Sequence, residues 1–224
     1  MNFFPDPPAG PGPDEHREPR RPDWSGAPVD VVPAVVPVEL VIGRSDTVAV
    51  LLTGLRAFPT GVEMNLAVRV HPDTPFGPLG PGRPGDFAAL YDEVFDNHHG
   101  LVGDTEWEAG RLKWGVELAD GRRATNVDLD PWSERYAAGE HPGEDDDWTP
   151  DHPVLHGGGG GGSDRAVDRS YWLWPLPPAG RLGVVCQWPA RGIAQTVHDL
   201  DADLVREAAA RARPLWPDAG PARP

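Results

Sequence analysis

The segment Val-Glu-Met-Asn-Leu-Ala-Val-Arg-Val, Val62 to Val70, decides the fold class of this 224-residue chain. Large apolar side chains occupy every second position, and polar or small ones lie between them: Val62, Met64, Leu66, Val68 and Val70 against Glu63, Asn65, Ala67 and Arg69. A period of two predicts a β-strand with one face in a core and the other in water. The same alternation returns along Leu112 to Leu118 and Leu182 to Trp188.

On either side of this strand, short apolar segments separated by Gly and Pro turns bring the predicted number of strands to about eight. Besides Val62–Val70 they are Val38–Ile42, Thr47–Phe58, Arg111–Leu118, Arg122–Val127, Ser170–Trp174, Arg181–Trp188 and Ile193–Leu200. Pro59 and Gly61 indicate a hairpin turn in which Gly61 takes a positive φ, and Asp120-Gly121 indicates a second hairpin. The pattern predicts an all-β, two-sheet antiparallel β-sandwich, immunoglobulin-like in the broad sense, with an open barrel as second choice.

Two helices are expected beside the strands. Asp86 is a suitable N-cap for a short lid helix over residues 87–95, which has apolar residues at helical spacing. Asp201 is a suitable N-cap for a C-terminal helix near residues 202–213, whose apolar stripe includes Leu204 and Val205. Pro214 prevents this helix from continuing.

Composition divides the chain into one domain and several irregular segments. Residues 1–33 are rich in Pro and charge, which predicts a disordered arm, and residues 218–224 predict a disordered tail. The β-sandwich domain then spans residues 34–217, with irregular insertions at 71–110 and 128–169. Six consecutive glycines, Gly157–Gly162, predict a flexible tether within the second insertion.

The net charge of −15 bears on partners. Without a basic stripe, nucleic acid and anionic membrane surfaces are unfavourable partners. A protein partner with a basic surface fits the charge, although the charge can also serve solubility alone. The chain shows no signal peptide and no apolar segment of membrane length, and its only cysteine, Cys186, excludes an intramolecular disulfide, so we expect a cytoplasmic protein.

No catalytic or cofactor signature emerges, and we expect no cofactor. Cys186 alternates with core residues, which predicts an inert buried thiol. His152 and His156 are four residues apart, but Pro153 and the following glycines oppose a helix, so they are only weak metal candidates. The nucleophile elbow and the phosphate-binding loops are absent from the sequence. Paired carboxylates for glycoside chemistry remain open, because their separation is invisible in sequence.

The nine tryptophans are the best remaining clue to function. Trp114, Trp174, Trp188 and Trp216 lie on or just after predicted elements and are expected to fill the core. The candidate partner- or ligand-binding residues are instead three tryptophans in irregular segments and acids beside them: Trp107, Trp132 and Trp148, with Glu106, Asp130 and Asp147. Such tryptophans either fold back on the domain or serve as anchors for a partner.

These observations favour a non-enzymatic protein–protein interaction or assembly module that uses the acidic, tryptophan-bearing loops. The alternative is a carbohydrate or small-ligand binding protein, including a glycan-active enzyme, in which the tryptophans stack on sugar rings. A third possibility is a structural component of a larger assembly, with the N-terminal arm ordering on binding.

Three motifs carry a family resemblance: Tyr171-Trp172-Leu173-Trp174-Pro175-Leu176-Pro177-Pro178, Cys186-Gln187-Trp188-Pro189-Ala190-Arg191-Gly192 and Ala119-Asp120-Gly121-Arg122. Through them the chain, from about Val35 to Trp216, resembles a hypothetical-protein family of high-GC, actinobacterial-type bacteria. The resemblance implies a bacterial, intracellular setting and transfers no chemistry.

Overall fold

Two antiparallel sheets form the body of the protein in the computed structural model, which describes residues 21–74, 90, 94, 110–140, 148–163 and 165–216. The first sheet has the order β2-β3-β4-β8-β7, with β2 Ala34–Arg44, β3 Val48–Ala57, β4 Val62–Val70, β7 Val154–Ser163 and β8 Ala166–Trp174. The second has the order β10-β9-β5-β6, with β5 Lys113–Glu117, β6 Arg123–Thr125, β9 Arg181–Trp188 and β10 Ile193–Asp201. The all-β sandwich prediction is confirmed.

The alternation in β4 sorts its side chains as the sequence predicts. Val62, Met64, Leu66 and Val68 are buried in the core between the sheets, because β4 lies between β3 and β8 and faces the second sheet. The opposite core surface comes from β9, whose alternate residues Leu182, Val184, Cys186 and Trp188 are also fully buried. A period of two therefore determines which face of each strand enters the core.

An aromatic pair joins the two sheets. Trp114 of β5 meets Tyr171 of β8 edge to face, with ring centroids 4.7 Å apart and an interplanar angle of 85°. Edge-to-face pairs add stabilisation beyond the apolar area that they bury. This contact ties an inner strand of one sheet to an inner strand of the other.

The sheets also approach each other at one margin. The hydroxyl of Thr196 in β10 donates a hydrogen bond to the carbonyl of Ile42 in β2. Gly43 permits this approach, since a Cβ there would lie 2.9 Å from Cγ2 of Ile193 and 3.0 Å from Sγ of Cys186. The sandwich is thus drawn together where β2 meets β9 and β10.

Two α-helices are described in addition to these strands: α1 Pro131–Ala137 and α2 Ala202–Ala209. Asp201 caps α2 as predicted, but the helix ends four residues earlier than expected, and Leu204 is exposed rather than buried. The chain beyond it forms the short strand β11, Arg213–Pro214, which pairs with β1, Val31–Val32. Neither helix has the length and hydropathy needed to cross a bilayer, which holds for every described helix.

Gly61 is required for space rather than for backbone conformation. The turn from β3 to β4 closes with the Phe58 amide donating to the Gly61 carbonyl at 2.9 Å. The predicted positive φ at Gly61 is wrong. A Cβ at this position would lie 2.5 Å from the carbonyl oxygen of Leu173 and 2.6 Å from the indole of Trp172, so only glycine fits.

The predicted disordered arm is wrong for residues 21–33. Trp24 is only 1 % exposed, and the carbonyl of Asp23 accepts a hydrogen bond from the Trp172 indole at 2.9 Å. One large indole and a short strand, β1, hold this segment on the domain in spite of its polar composition. Residues 1–20 and the predicted tail at 218–224 lie outside the described residues.

The insertion predicted as irregular at 128–169 contains α1, β7 and the start of β8. Gly157–Gly162 form most of β7, and Gly157 and Gly160–Gly162 pair with β8 on either side of a register shift, so the prediction of a flexible tether is wrong. Although these glycines have no side chains to pack, backbone pairing with β8 holds the tract as a strand. Of the predicted lid helix at 87–95, only Leu90 and Val94 are described. Both are helical and buried, and most of the 71–110 insertion lies outside the described residues.

Candidate functional site

A hollow of about 310 Å³ lies beside α1, between the loop 125–130 and the first residues of β7. We call it the α1 hollow. Its polar lining includes Asp130, Glu134, His152, His156 and Arg169. Three of the residues that the sequence singled out, Asp130, His152 and His156, therefore meet at one place.

The helix beside the hollow is fixed by Asp130. Its carboxylate accepts hydrogen bonds from the backbone amides of Trp132 and Ser133, both at 3.1 Å, and Pro131 begins the helix. An N-cap carboxylate satisfies amides that a helix leaves unpaired and complements its dipole. The structure thus gives Asp130 a structural task rather than the role of a free acid.

The two histidines differ in their surroundings. His152 is half-exposed, with Nε2 3.4 Å from Glu134 and Nδ1 3.1 Å from Asp151. His156 lies deeper, and burial, with Arg169 adding to it, lowers the pKa of His156 against the opposing effect of Asp130. His156 is therefore a neutral imidazole at pH 7, with one donor and one acceptor nitrogen.

The spacing of these histidines is extended rather than helical, since β7 begins at Val154. Across the described ranges, no three His, Cys, Asp or Glu side chains are grouped as a metal ion requires. The α1 hollow brings His152 and His156 to one cavity without assembling a metal-ligand set.

The loop tryptophans fold back on the domain. Trp132 and Trp148 pack on the buried Trp24, with ring centroids 5.0 and 5.8 Å from it, and the Trp24 indole donates to the Trp148 carbonyl at 3.3 Å. The guanidinium of Arg135 lies 4.8 Å from the Trp148 ring. Burial of Trp24 was not predicted, because the polar residues around it in the sequence give no sign of it. The remaining candidates, Glu106, Trp107 and Asp147, lie outside the described residues.

Trp216 was expected to fill the core, and that prediction is wrong. Its side chain is 63 % exposed, directly after β11. The short β1–β11 pair leaves this end of the chain on the surface.

The outer edge of β7 is a second candidate site. β7 is the last strand of its sheet, no described strand pairs with its far side, and residues 159–163 are exposed. At Gly157 and Gly158 a Cβ would lie 2.1 Å from the Arg169 guanidinium and 2.5 Å from the Ser170 hydroxyl, so a side chain there would require these two side chains to move. At Gly159 and Gly161 a Cβ would meet nothing within 4 Å, and neither φ is positive.

Cys186 does not take part in either site. It lies in the core, and burial raises the pKa of its thiol from 9.0 to about 12. The thiolate is the reactive form, so this shift lowers its population about a thousandfold at any pH well below 9.

Alkylation of native protein at pH 8 should therefore be slower than that of a free cysteine by at least about a thousandfold, because only the thiolate attacks. Mass spectrometry after iodoacetamide treatment measures this rate. The urea-unfolded protein is the control and should react fully. Complete labelling of the folded protein within minutes would show an accessible thiol and contradict its place in the core.

The fold and its two candidate sites define an antiparallel β-sandwich with a polar hollow and an open sheet edge. No protein-family model, curated protein or solved structure matches this chain.

Proposed function

We propose that this protein is a non-enzymatic interaction module that binds an extended segment of a partner protein along the outer edge of β7. The single observation that supports this proposal is the exposed run of glycines at Gly158–Gly162 on a strand whose far side no described strand pairs. A partner strand added there would extend the five-stranded sheet by main-chain hydrogen bonds, the mode known as β-augmentation.

Within the part of the chain that the structure describes, this edge lacks the features with which soluble proteins prevent unwanted pairing. Edge strands usually have charged side chains or Pro, or are covered by another segment, and each of these prevents a further strand from pairing. At the other end of the same sheet, β2 carries Pro37 and Glu39 and contacts β9 and β10. The six glycines of β7 present no such side chain.

The glycines themselves argue for a close neighbour. Glycine inside a strand costs roughly 0.5–1 kcal/mol relative to alanine, because more backbone entropy is lost on folding. Gly159 and Gly161 accept this cost although the space and backbone conformation around them would admit a side chain. Glycine in a strand often marks a bulge, as the register shift between Gly157 and Gly160 does here, or a place where another backbone approaches closely, which an added partner strand would do at Gly161.

The proposed partner segment is basic. The chain carries a net charge of −15, and complementary charge increases the rate of association and selects partners. The acidic, tryptophan-bearing loops are a weaker candidate for the contact surface, since Trp132 and Trp148 are engaged with Trp24. The proposal therefore places recognition on the strand edge.

A pair of proline variants tests the edge. Adjacent residues in a strand direct their amides to opposite sides, so of Gly160→Pro and Gly161→Pro one removes a donor to β8 and the other a donor to the open side. The variant that removes the donor to β8 should lose about 1–3 kcal/mol of stability. The variant that removes the donor to the open side should keep its stability and bind a partner strand roughly tenfold or more weakly.

The binding partners for this test come from a displayed library of peptides of about ten residues, the upper range of natural strand lengths. Peptides selected on the native protein should be enriched in Arg and Lys and should lose affinity for the more stable of the two variants. Peptides that bind both proline variants as tightly as the native protein would refute the edge as the site. Enrichment of acidic peptides would refute the charge argument.

A further inference from the structure

We infer that the α1 hollow binds a neutral, polyhydroxylated ligand of the size of a single sugar ring. This site is separate from the outer edge of β7 and does not depend on the proposed function. The inference rests on the volume of the hollow, on its unused hydrogen-bonding groups, on its charge and on an apolar side chain at its wall.

The volume sets the size of the ligand. Small-molecule sites occupy about 300–1,000 Å³, and the α1 hollow, at about 310 Å³, is at the lower limit of that range. A single sugar ring fits such a volume, whereas a nucleotide or an oligosaccharide would extend far outside it.

The unused hydrogen-bonding capacity of the hollow is concentrated at His156. This half-buried imidazole makes no hydrogen bond with any residue that the structure describes. Nearby polar groups are already engaged: the Asp128 carboxylate accepts from the Thr125 amide at 2.7 Å, and the Asn126 side chain bridges the backbone of Leu112 and Trp114. A hydroxyl, which both donates and accepts, matches a neutral imidazole at either nitrogen.

The charge of the hollow disfavours an ionic ligand. Three carboxylates, those of Asp128, Asp130 and Glu134, line it against one guanidinium, that of Arg169, so an anion is repelled. Asp128 and Asp130 already accept backbone hydrogen bonds, and Glu134 lies beside His152, so these carboxylates are poorly available to a cation. A neutral ligand is not repelled by these carboxylates and does not need them as counter-ions.

One wall of the hollow is apolar. Leu129, whose side chain is 48 % exposed, lines the hollow, as do Pro153 and Leu155. Sugar rings have a C–H face as well as hydroxyl groups, and covering exposed apolar area contributes roughly 25 cal/mol per Å². The hollow thus offers polar groups to the hydroxyls of such a ring and apolar side chains to its C–H face.

A sugar titration tests the inference. The probes are neutral hexoses, an N-acetylhexosamine and inositol, together with an anionic uronic acid and a cationic aminohexose as charge-matched comparisons. The readout is the chemical shift of the His156 imidazole and the heat of binding. At least one neutral probe should bind and shift His156, and the charged analogue of that probe should bind at least tenfold more weakly.

Variants locate the site. His156→Phe and, independently, Leu129→Ala should each weaken binding, the first at least tenfold, while His198→Phe on β10, outside the hollow, should leave it unchanged. The Gly160→Pro and Gly161→Pro variants separate this site from the β7 edge. Failure of every neutral probe to shift His156, tighter binding of a charged probe, or equal losses in His156→Phe and His198→Phe would overturn the inference.

Discussion

Replacing Trp114 with alanine is expected to lower the free energy of unfolding by about 3–5 kcal/mol, the range typical of a buried Trp→Ala change. Trp114 is only 2 % exposed, and its ring meets Tyr171 of the opposite sheet at 4.7 Å. The substitution removes both the largest side chain of β5 and an aromatic contact between the sheets. Urea unfolding followed by circular dichroism measures the loss.

Two further variants act as controls for Trp114. Trp216→Ala removes an indole that is 63 % exposed and should change stability by no more than about 0.5 kcal/mol. Trp114→Phe keeps a ring facing Tyr171 and removes a buried indole N–H that finds no acceptor among the described residues, so it should cost less than Trp114→Ala. Equal stabilities of Trp114→Ala and Trp216→Ala would contradict the stacked-sheet arrangement.

The second large effect is expected at Trp24. Trp24→Ala should cost about 3–5 kcal/mol, again the range for a buried tryptophan, because its side chain supports both Trp132 and Trp148. Loss of this support should also increase amide hydrogen exchange in α1, which carries Trp132. Urea unfolding and hydrogen-exchange mass spectrometry together report the two effects.

Val29→Ala is the matched control, since Val29 belongs to the same N-terminal segment and is 89 % exposed. It should leave both stability and exchange in α1 unchanged. If Trp24→Ala behaves in the same way as Val29→Ala, then residues 21–33 contribute nothing to the domain and the correction of the disordered-arm prediction is itself wrong.

The strands were predictable because their evidence is local. In β4 and β9 each large apolar residue is followed by a residue for the opposite face, and this period alone assigns Leu66 and Val184 to the core. The capped C-terminal helix was predictable for the same reason, since Asp201 and the residues after it lie together in the chain. Local patterns of this kind do not depend on which strands become neighbours.

The candidate sites depended on contacts between distant parts of the chain. The glycines of β7 have no side-chain periodicity, and their strand conformation comes from pairing with β8. Trp24 is buried by contact with Trp148, 124 residues away. His152 and His156 share the α1 hollow because the loop 125–130 and α1 complete it. None of these neighbours can be inferred from a single segment.

Residue-resolved amide hydrogen exchange across Gly157–Ser163 in the isolated protein tests most directly whether β7 is an ordered strand with one open edge. Over Gly160–Ser163, beyond the register shift that follows Gly157, we expect alternation: amides directed toward β8 exchange slowly, and those directed toward the open side exchange rapidly. Binding of a selected basic peptide should then slow the rapid set. Uniformly rapid exchange at every glycine of the tract, with or without peptide, would contradict the account.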